Sequence, residues 1–306
     1  MKCLIVLSSK SSGSSVLQRV LAAQPQIRPV TRTRHKQNET LFWVKAASVL
    51  GLPQVAMTRS EVPIPRAKAR ADLVTLLTEN LGPSYVPPPA DQDLIFGGWH
   101  GLCRRYAPVF LEKSPHHLHQ WSALELIMEC ARRLSDVEFL MVGLVRNPMD
   151  TMYSLWRRWR VIPERSQHEW YTAYTNLQKL VALLPERVVV VRYEDMIVDS
   201  SSLQPVYRFV DAPRADTTTL HGRSVGLWRQ DRLFGFRLAD HVMGLGTEYG
   251  YRRQDMIGDS YRLWPVYRQA SHWLYRGPRS LGPAQPILRA VRKRLTGHPG
   301  TSGQPS

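Results

Sequence analysis

Hydrophobic residues along the chain fall into short continuous runs. Four such runs lie at residues 3–7, 109–111, 139–145 and 188–191. Strands that carry apolar side chains on both faces are typical of a parallel sheet covered by helices. The pattern therefore predicts a central parallel β-sheet.

Segments with helical spacing alternate with these strands. Apolar residues recur every three or four positions within residues 16–21, 73–81 and 124–131, a helix opening at Pro148 runs on through Trp159, and another covers residues 167–184. Strand and helix in alternation predict an α/β fold, a single domain with a central parallel sheet flanked by helices. We expect this domain at residues 1–275 and a poorly ordered basic tail, rich in Gly, Pro and Ser, at residues 276–306.

Two segments lack either pattern. Prolines at positions 53, 63 and 65 predict irregular structure over residues 53–70. A Pro-rich stretch followed by three glycines predicts a long loop over residues 83–106, suited to a lid or a substrate wall. The identity of a substrate would depend on these segments.

The loop after the first strand has the composition of an anion site. Residues 8–15 supply small side chains, one lysine and one glycine, directly before a helix whose free N–H groups and positive dipole end face the loop. It is not a Walker A loop, because Ser14 rather than lysine follows Gly13. Serine-rich loops also follow first strands without binding phosphate, so both interpretations stay open at this point.

Polar clusters follow the second strand as well. Residues 112–119 carry Glu, Lys, Ser and three histidines, and the carboxyl ends of parallel strands meet at one edge of a sheet, so this cluster should face the first loop. The three histidines suggest a metal, but no matching ligand group occurs elsewhere, and a solvated helix start explains them better. We therefore predict no metal site.

An arginine follows the third strand. Arg146 leaves that strand and Ser154 lies eight residues later, two turns into the next helix, so the two side chains can converge on one phosphate. Arg157, Arg158 and Arg160 are interpreted as a solvated basic face of the same helix.

Composition narrows the partners. The chain has 306 residues with 41 Lys and Arg against 25 Asp and Glu, a net charge of +16, which favours anionic partners. Nucleic acid is disfavoured, because aromatic residues are scattered through apolar segments and no zinc-finger, helix-turn-helix or RNP signature occurs. A short basic amphipathic stretch at residues 287–295 offers peripheral contact with a membrane surface as the alternative to a disordered tail.

Cysteine usage and hydropathy bear on location. The three cysteines are widely spaced and form no C-x-x-C pair, which indicates neither a disulfide framework nor zinc and fits a reducing compartment. No stretch approaches the roughly 18 apolar residues of a membrane span, and the first apolar run is too short for a signal peptide. We expect a cytoplasmic protein.

Taken together, these motifs resemble the sulfotransferase family that uses 3'-phosphoadenosine 5'-phosphosulfate (PAPS), over residues 2–251. The resemblance implies that the α/β domain is P-loop-like, of the sulfotransferase or nucleotide kinase type. Residues 12–15 match the end of the family's 5'-phosphosulfate loop, P-[KR]-S-G-[ST]-[ST], but Ser11 stands at the basic position and Lys10 lies one place earlier. Residues 146–154 reproduce the 3'-phosphate motif R-[DN]-P-x-D-x-x-x-S with the right spacing. This second match is the most specific signal in the chain.

The resemblance also implies roles for single residues. Lys113 lies in an E-K-[ST]-P stretch whose lysine contacts the transferring sulfonate. Glu39 lies in a segment resembling the one that carries the catalytic base in the carbohydrate and tyrosylprotein branches, with His116 as the reserve base; the residues alone equally allow Glu39 to be a helix cap or ion-pair partner. The implied cofactor-binding residues are Lys10, Ser11, Ser12, Gly13, Ser14, Ser15, Arg146, Ser154, Tyr193, Ser224, Trp228 and Arg229.

The implied activity is transfer of a sulfonate group from PAPS to a hydroxyl acceptor, by in-line displacement with a glutamate base and with Lys113 and Lys10 stabilising charge. The acceptor would be a glycan, a lipid, a tyrosine or a small alcohol. Two alternatives remain: a phosphoryl-transferring kinase of a nucleotide or small molecule, and a catalytically impaired nucleotide-binding relative, which the displaced lysine keeps open.

Overall fold

The central sheet has five parallel strands. A computed structural model describes residues 1–35, 37–213, 224–231, 234–258 and 264–276. The strand order is β2-β3-β1-β4-β5, and every neighbouring pair is parallel. The strands are β1 (Lys2–Ser8), β2 (Ile27–Pro29), β3 (Val109–Lys113), β4 (Glu138–Val145) and β5 (Val188–Arg192).

Helices cover both faces of this sheet. In chain order they are α1 (Ser14–Ala22), α2 (Phe42–Val49), α3 (Arg66–Leu81), α4 (Gly98–Arg105), α5 (His116–His119), α6 (Trp121–Arg133), α7 (Pro148–Trp159), α8 (Pro163–Leu183), α9 (Tyr193–Val198), α10 (Gln204–Phe209), α11 (Asp240–Glu248) and α12 (Trp264–Arg276). A single turn of π-helix, Asp93–Gly97, precedes α4. The predicted α/β fold with a parallel sheet and flanking helices is confirmed.

Each face of the sheet has its own core. In β1 the side chains of Cys3 and Ile5 enter the larger core, and those of Leu4 and Val6 enter the smaller one. All four are buried, which accounts for the unbroken apolar run in the sequence. The larger core also holds an aromatic group in which ring centroids lie 4.7–5.1 Å apart, formed by Phe42, Trp43 and Trp99.

The loop predicted over residues 83–106 is wrong for its second half, which forms the π-turn and α4. Two of its three glycines occupy α4, and at both Gly98 and Gly101 an added Cβ would press on α3, at Leu77 and Leu81 respectively. These glycines allow close helix packing, so they mark a helix rather than a lid. The prediction of irregular structure over 53–70 is wrong from residue 66, where α3 begins.

Two elements give no periodic signal. β2 is a three-residue edge strand bonded only to β3. α2 is buried on nearly all sides, so its sequence is almost continuously apolar and lacks helical spacing.

Within the described residues, no helix combines the length and apolarity needed to cross a membrane. The predicted tail lies outside those residues from position 277 onward.

Candidate active site

The loop between β1 and α1 forms a cradle of backbone groups at the carboxyl edge of the sheet. Ser11 and Gly13 have φ values of +63° and +92°. Gly13 is the residue that caps the start of α1, and its carbonyl oxygen accepts from the N–H groups of Val16 and Leu17 at 2.8 and 3.1 Å. A Cβ at Gly13 would lie 2.4 Å from the ring of Tyr193. Both the left-handed conformation and the ring contact require glycine here.

Gly13→Ala should therefore lower the stability of the fold by more than the strain of a left-handed backbone alone would. Alanine in the left-handed region costs about 1–2 kcal/mol, and displacing the Tyr193 ring adds roughly 1–3 kcal/mol. Gly51→Ala is the matched control, since Gly51 has φ +71° and open space around it. Thermal unfolding should show a larger loss of stability for Gly13→Ala than for Gly51→Ala; equal losses would show that the ring contact is unimportant.

The hydroxyl of Ser12 faces the protein interior. It lies 2.6 Å from the hydroxyl of Ser9 and 2.9 Å from that of Tyr174, which donates to the carbonyl oxygen of Leu144 at 2.9 Å. Ser12 thus anchors the loop to α8 and β4, while Ser11, Ser14 and Ser15 line the cleft above it. Sequence reasoning missed Tyr174, because nothing in α8 distinguishes this tyrosine from a core residue.

Lys10 lines the cleft but is held from outside the loop. Its ammonium donates to the carbonyl oxygens of Thr58 and Arg59 at 2.7 and 3.3 Å. Burial lowers the pKa of Lys10, and the nearby carboxylates of Glu169 and Glu39 partly oppose that shift. The displaced loop lysine therefore couples the cradle to the irregular segment that carries Thr58 and Arg59.

A buried ion pair lies beside the cradle. The Lys113 ammonium lies 3.1 Å from Oε1 of Glu39 and donates to the carbonyl oxygen of Gln37 at 2.9 Å and to the hydroxyl of Ser15 at 3.4 Å. Both charged side chains are buried. The contact between Lys113 and Ser15 confirms the prediction that the cluster after β3 faces the first loop. Glu39 has an ion-pair partner and also lines the cleft.

The three histidines of α5 are buried, so the predicted solvated helix start is wrong. Nδ1 of His116 lies 3.7 Å from Oε2 of Glu39 and has no hydrogen-bond partner. Burial lowers the pKa of His116 well below its usual value, and the positive charge of Lys10 lowers it further. The imidazole next to Glu39 is therefore neutral at pH 7. Among the described residues no group of three or more potential ligands can hold a metal ion.

A second carboxylate fixes the position of the strand end. Oε1 of Glu112 accepts from the hydroxyls of Thr40, at 2.6 Å, and Ser114, while its Oε2 lies 3.4 Å from Nε2 of His117. Burial acts to raise the pKa of Glu112, but His117 and the two hydroxyls outweigh it, so the pKa is lowered. The hydroxyl of Ser114 also accepts from the backbone N–H of Leu41 at 3.0 Å. These bonds hold the segment of Glu39 against β3.

Arg146 leaves β4 beneath the cradle. Its Nη1 donates to the carbonyl oxygen of Ser11 at 3.1 Å and its Nη2 to that of Ser224 at 2.8 Å, and the guanidinium lies 4.7 Å from the centroid of the Tyr193 ring. Its Nε is buried without a partner. Ser154 and Arg158 line the same cleft. Arg158 is exposed, as predicted for a solvated basic face, but its position also adds positive charge to the cleft.

Asn147 and Asp150 hold this corner together. The Asn147 side chain caps α7, accepting from the N–H of Met149 at 2.9 Å. Oδ1 of Asp150 accepts from the N–H of Gly226 at 2.8 Å, which fixes the loop that carries Ser224. Burial raises the pKa of Asp150 to about 6, although Arg146 opposes the shift.

Trp228 and Arg229, like Ser12, are predicted cofactor contacts that are not brought to the cleft. Trp228 is buried in the larger core, and Arg229 pairs with Asp255 at 2.9 Å. Ser224 borders a neighbouring cavity together with Arg146 and Ser154, and its hydroxyl lies 3.2 Å from that of Tyr193. The preceding residues 221–223 lie outside the described part of the chain.

The cleft has a volume of about 860 Å³. It is lined by the cradle, Arg146, Ser154 and Tyr193, and also by Glu39 and His116. The rest of the lining includes polar and aromatic groups that no sequence motif identified: Thr58, Arg59, Trp159, Ser166, Glu169 and Tyr275. Glu39 also borders a smaller cavity of about 230 Å³.

Comparison with known proteins decides the family. A model described as "Sulfotransferase family" matches residues 4–216. The chain belongs to the sulfotransferase family. No curated protein matches it. Among solved structures, the sulfotransferase domain from the Synechococcus PCC 7002 olefin synthase aligns with a TM-score of 0.53 and 17% identity, covering 82% of this chain and 95% of that domain.

The match to a sulfotransferase domain supports the fold alone at this level of identity. The family supports sulfotransfer in general, and with it an acceptor that carries a hydroxyl or similar group. In this sulfotransferase, Arg146, Ser154 and the cradle border the same cleft as Glu39, and the buried Lys113 joins Glu39 to the cradle from beneath.

Proposed function

We propose that the protein transfers a sulfonate group from PAPS to a hydroxyl acceptor, with Glu39 as the base. The observation that carries this proposal is that one cleft is bordered by a cradle, by an arginine with a buried, unpartnered nitrogen and by Glu39, whose carboxylate pairs with the buried Lys113. A carboxylate beside a bound nucleotide fits removal of a proton from an acceptor, which a nucleotide-binding site by itself does not need.

The described residues fit a 3'-phosphorylated nucleotide. The backbone N–H groups at the start of α1 and the side chains of Ser14 and Ser15 would hold the 5' end. Arg146, through its unpartnered Nε, and Ser154 would hold the 3'-phosphate, with Arg158 adding charge. Tyr193 would border the nucleoside. When bound, PAPS supplies an activated sulfonate.

The chain's own groups then perform the proton chemistry. Glu39 accepts the acceptor's hydroxyl proton at its carboxylate. Lys113 pairs with that carboxylate, and its bond to Ser15 aims the same ammonium at the cradle, where it stabilises charge that develops during transfer. His116 also lines the cleft, with its Nδ1 3.7 Å from the Glu39 carboxylate.

The test is thermal unfolding with adenosine 3',5'-bisphosphate, ADP and AMP. Ligand at a hundred times its dissociation constant should stabilise the fold by roughly 2.7 kcal/mol. We expect the 3'-phosphorylated nucleotide to raise the unfolding midpoint, Arg146→Ala to abolish that rise, and Arg208→Ala, at an exposed arginine far from the cleft, to keep it. If ADP stabilised the protein as well or better, the kinase alternative would replace the proposal.

A further inference from the structure

Helix α12 has one face fixed on the protein. Arg268 is buried and donates to the carbonyl oxygens of Phe234 and Gly235, both at 2.7 Å. Nδ1 of His272 lies 2.6 Å from the carbonyl oxygen of Arg160. These contacts set the rotation of the helix about its axis and decide which side chains face outward.

The opposite face of α12 is apolar and exposed. The side chains of Val266, Trp273 and Leu274 are 68%, 64% and 59% exposed, and their spacing of seven and eight residues places them on one stripe. They are three of the ten large apolar side chains that are exposed in the described part of the chain, and Trp273 is the one tryptophan among those ten. An apolar stripe of this kind indicates a binding surface rather than scattered exposure.

The charged residues from position 260 to the end of the sequence are all positive. From residue 260 to the end, the sequence contains eight Lys and Arg residues and no Asp or Glu. Four of the eight cluster at residues 289–294, beyond the described helix. A tryptophan-bearing apolar face followed by cations has the two components that stable attachment to an anionic bilayer needs.

We propose that the exposed face of α12 docks on an anionic membrane surface. Trp273 and Leu274 enter the interface between headgroups and acyl chains, and the basic residues that follow the helix contact the lipid phosphates. A second protein would explain the apolar stripe but not the sequence that follows it, which carries Lys and Arg and no Asp or Glu.

The docking helix is also a wall of the cleft. Tyr275, on the side of α12 opposite the stripe, lines the cleft, with the guanidinium of Arg59 5.2 Å from its ring centroid. An acceptor hydroxyl on a membrane-borne molecule would thus meet the site beside this helix. This consequence rests on the proposed function, whereas the docking does not.

The experiment is sedimentation of the full-length protein with vesicles of phosphatidylcholine, with and without phosphatidylglycerol. The wild type should bind the anionic vesicles, and less so as salt rises. Trp273→Ser/Leu274→Ser should bind them at least about tenfold more weakly, because the buried apolar area is lost. Leu183→Ser/Val198→Ser is the matched control, at residues 57% and 85% exposed on other helices, and should bind like the wild type.

Three outcomes would overturn the docking proposal. The wild type could fail to bind the anionic vesicles, or Trp273→Ser/Leu274→Ser could bind them as well as the wild type does. The third is that the wild type is a dimer in solution and that only Trp273→Ser/Leu274→Ser is a monomer. Each variant is also unfolded with adenosine 3',5'-bisphosphate. A midpoint shift retained in the α12 variant shows that the fold and cleft are intact. A shift missing from every protein would reject the proposed function and leave the vesicle result to judge the docking.

Discussion

Glu39→Gln is expected to lower kcat by roughly a hundred to ten thousandfold, the range that general-base catalysis contributes. Glutamine keeps the size of the side chain and an oxygen that can accept from Lys113, so the geometry at 3.1 Å survives while the proton acceptor is lost. Because Arg146, Ser154 and the start of α1, and not Glu39, hold the nucleotide in the proposed mode, the midpoint shift with adenosine 3',5'-bisphosphate should persist. The measurement is transfer of radiolabelled sulfonate from PAPS to an acceptor selected from a panel of phenols, alcohols and saccharides.

His116→Asn separates the two candidate bases. The imidazole lies 3.7 Å from the Glu39 carboxylate and its Nδ1 has no hydrogen-bond partner, whereas the Glu39 carboxylate is positioned by its pair with Lys113. We expect His116→Asn to cost far less in kcat than Glu39→Gln. The reverse order, with nucleotide binding intact in both variants, would assign the proton transfer to His116 and return Glu39 to the role of an ion-pair partner.

Lys113→Ala should have the largest combined effect, on both activity and folding. Removing the cation leaves the buried carboxylate of Glu39 without its charge partner, which typically costs 3–5 kcal/mol. Sulfonate transfer should be lost with it, since the same ammonium faces the cradle through Ser15. Thermal unfolding and the transfer assay measure the two effects separately.

A double variant keeps this test informative if Lys113→Ala fails to fold. Lys113→Met/Glu39→Gln removes both charges, so it should recover much of the lost stability and bind adenosine 3',5'-bisphosphate, yet remain inactive. Transfer activity in the double variant would contradict both assigned roles. If the wild type transfers sulfonate and Lys113→Ala does not, while still binding the nucleotide, the alternative of a catalytically impaired nucleotide-binding relative is rejected.

The displaced lysine of the cradle gives the site a connection that the family pattern does not describe. Lys10 bonds to Thr58 and Arg59, and Arg59 in turn lies over Tyr275. These three contacts link the cradle to the irregular segment and to α12. The irregular segment around residue 58, on which the acceptor was predicted to depend, lines the cleft, whereas the second half of residues 83–106 forms the π-turn and α4.

The sequence by itself determined the α/β class, four of the five strands and the two motifs, after β1 and after β4, that border the cleft. Those features depend on local chemistry: an apolar run reports a strand buried on both faces, and a motif such as Arg146 with Ser154 has its spacing fixed by one helix. The meeting of Lys113 with the first loop was also predictable, because parallel strands end at one edge of a sheet.

Only the tertiary structure decided which side chains those edges bring together. Tyr174 anchors Ser12 across 162 residues, the α5 histidines are buried because neighbouring helices cover them, and Trp228 is drawn into the core instead of the cleft. Glu39 obtains its partner 74 residues away. Contacts of this kind depend on packing between elements far apart in the chain, and no local pattern of residue types records them.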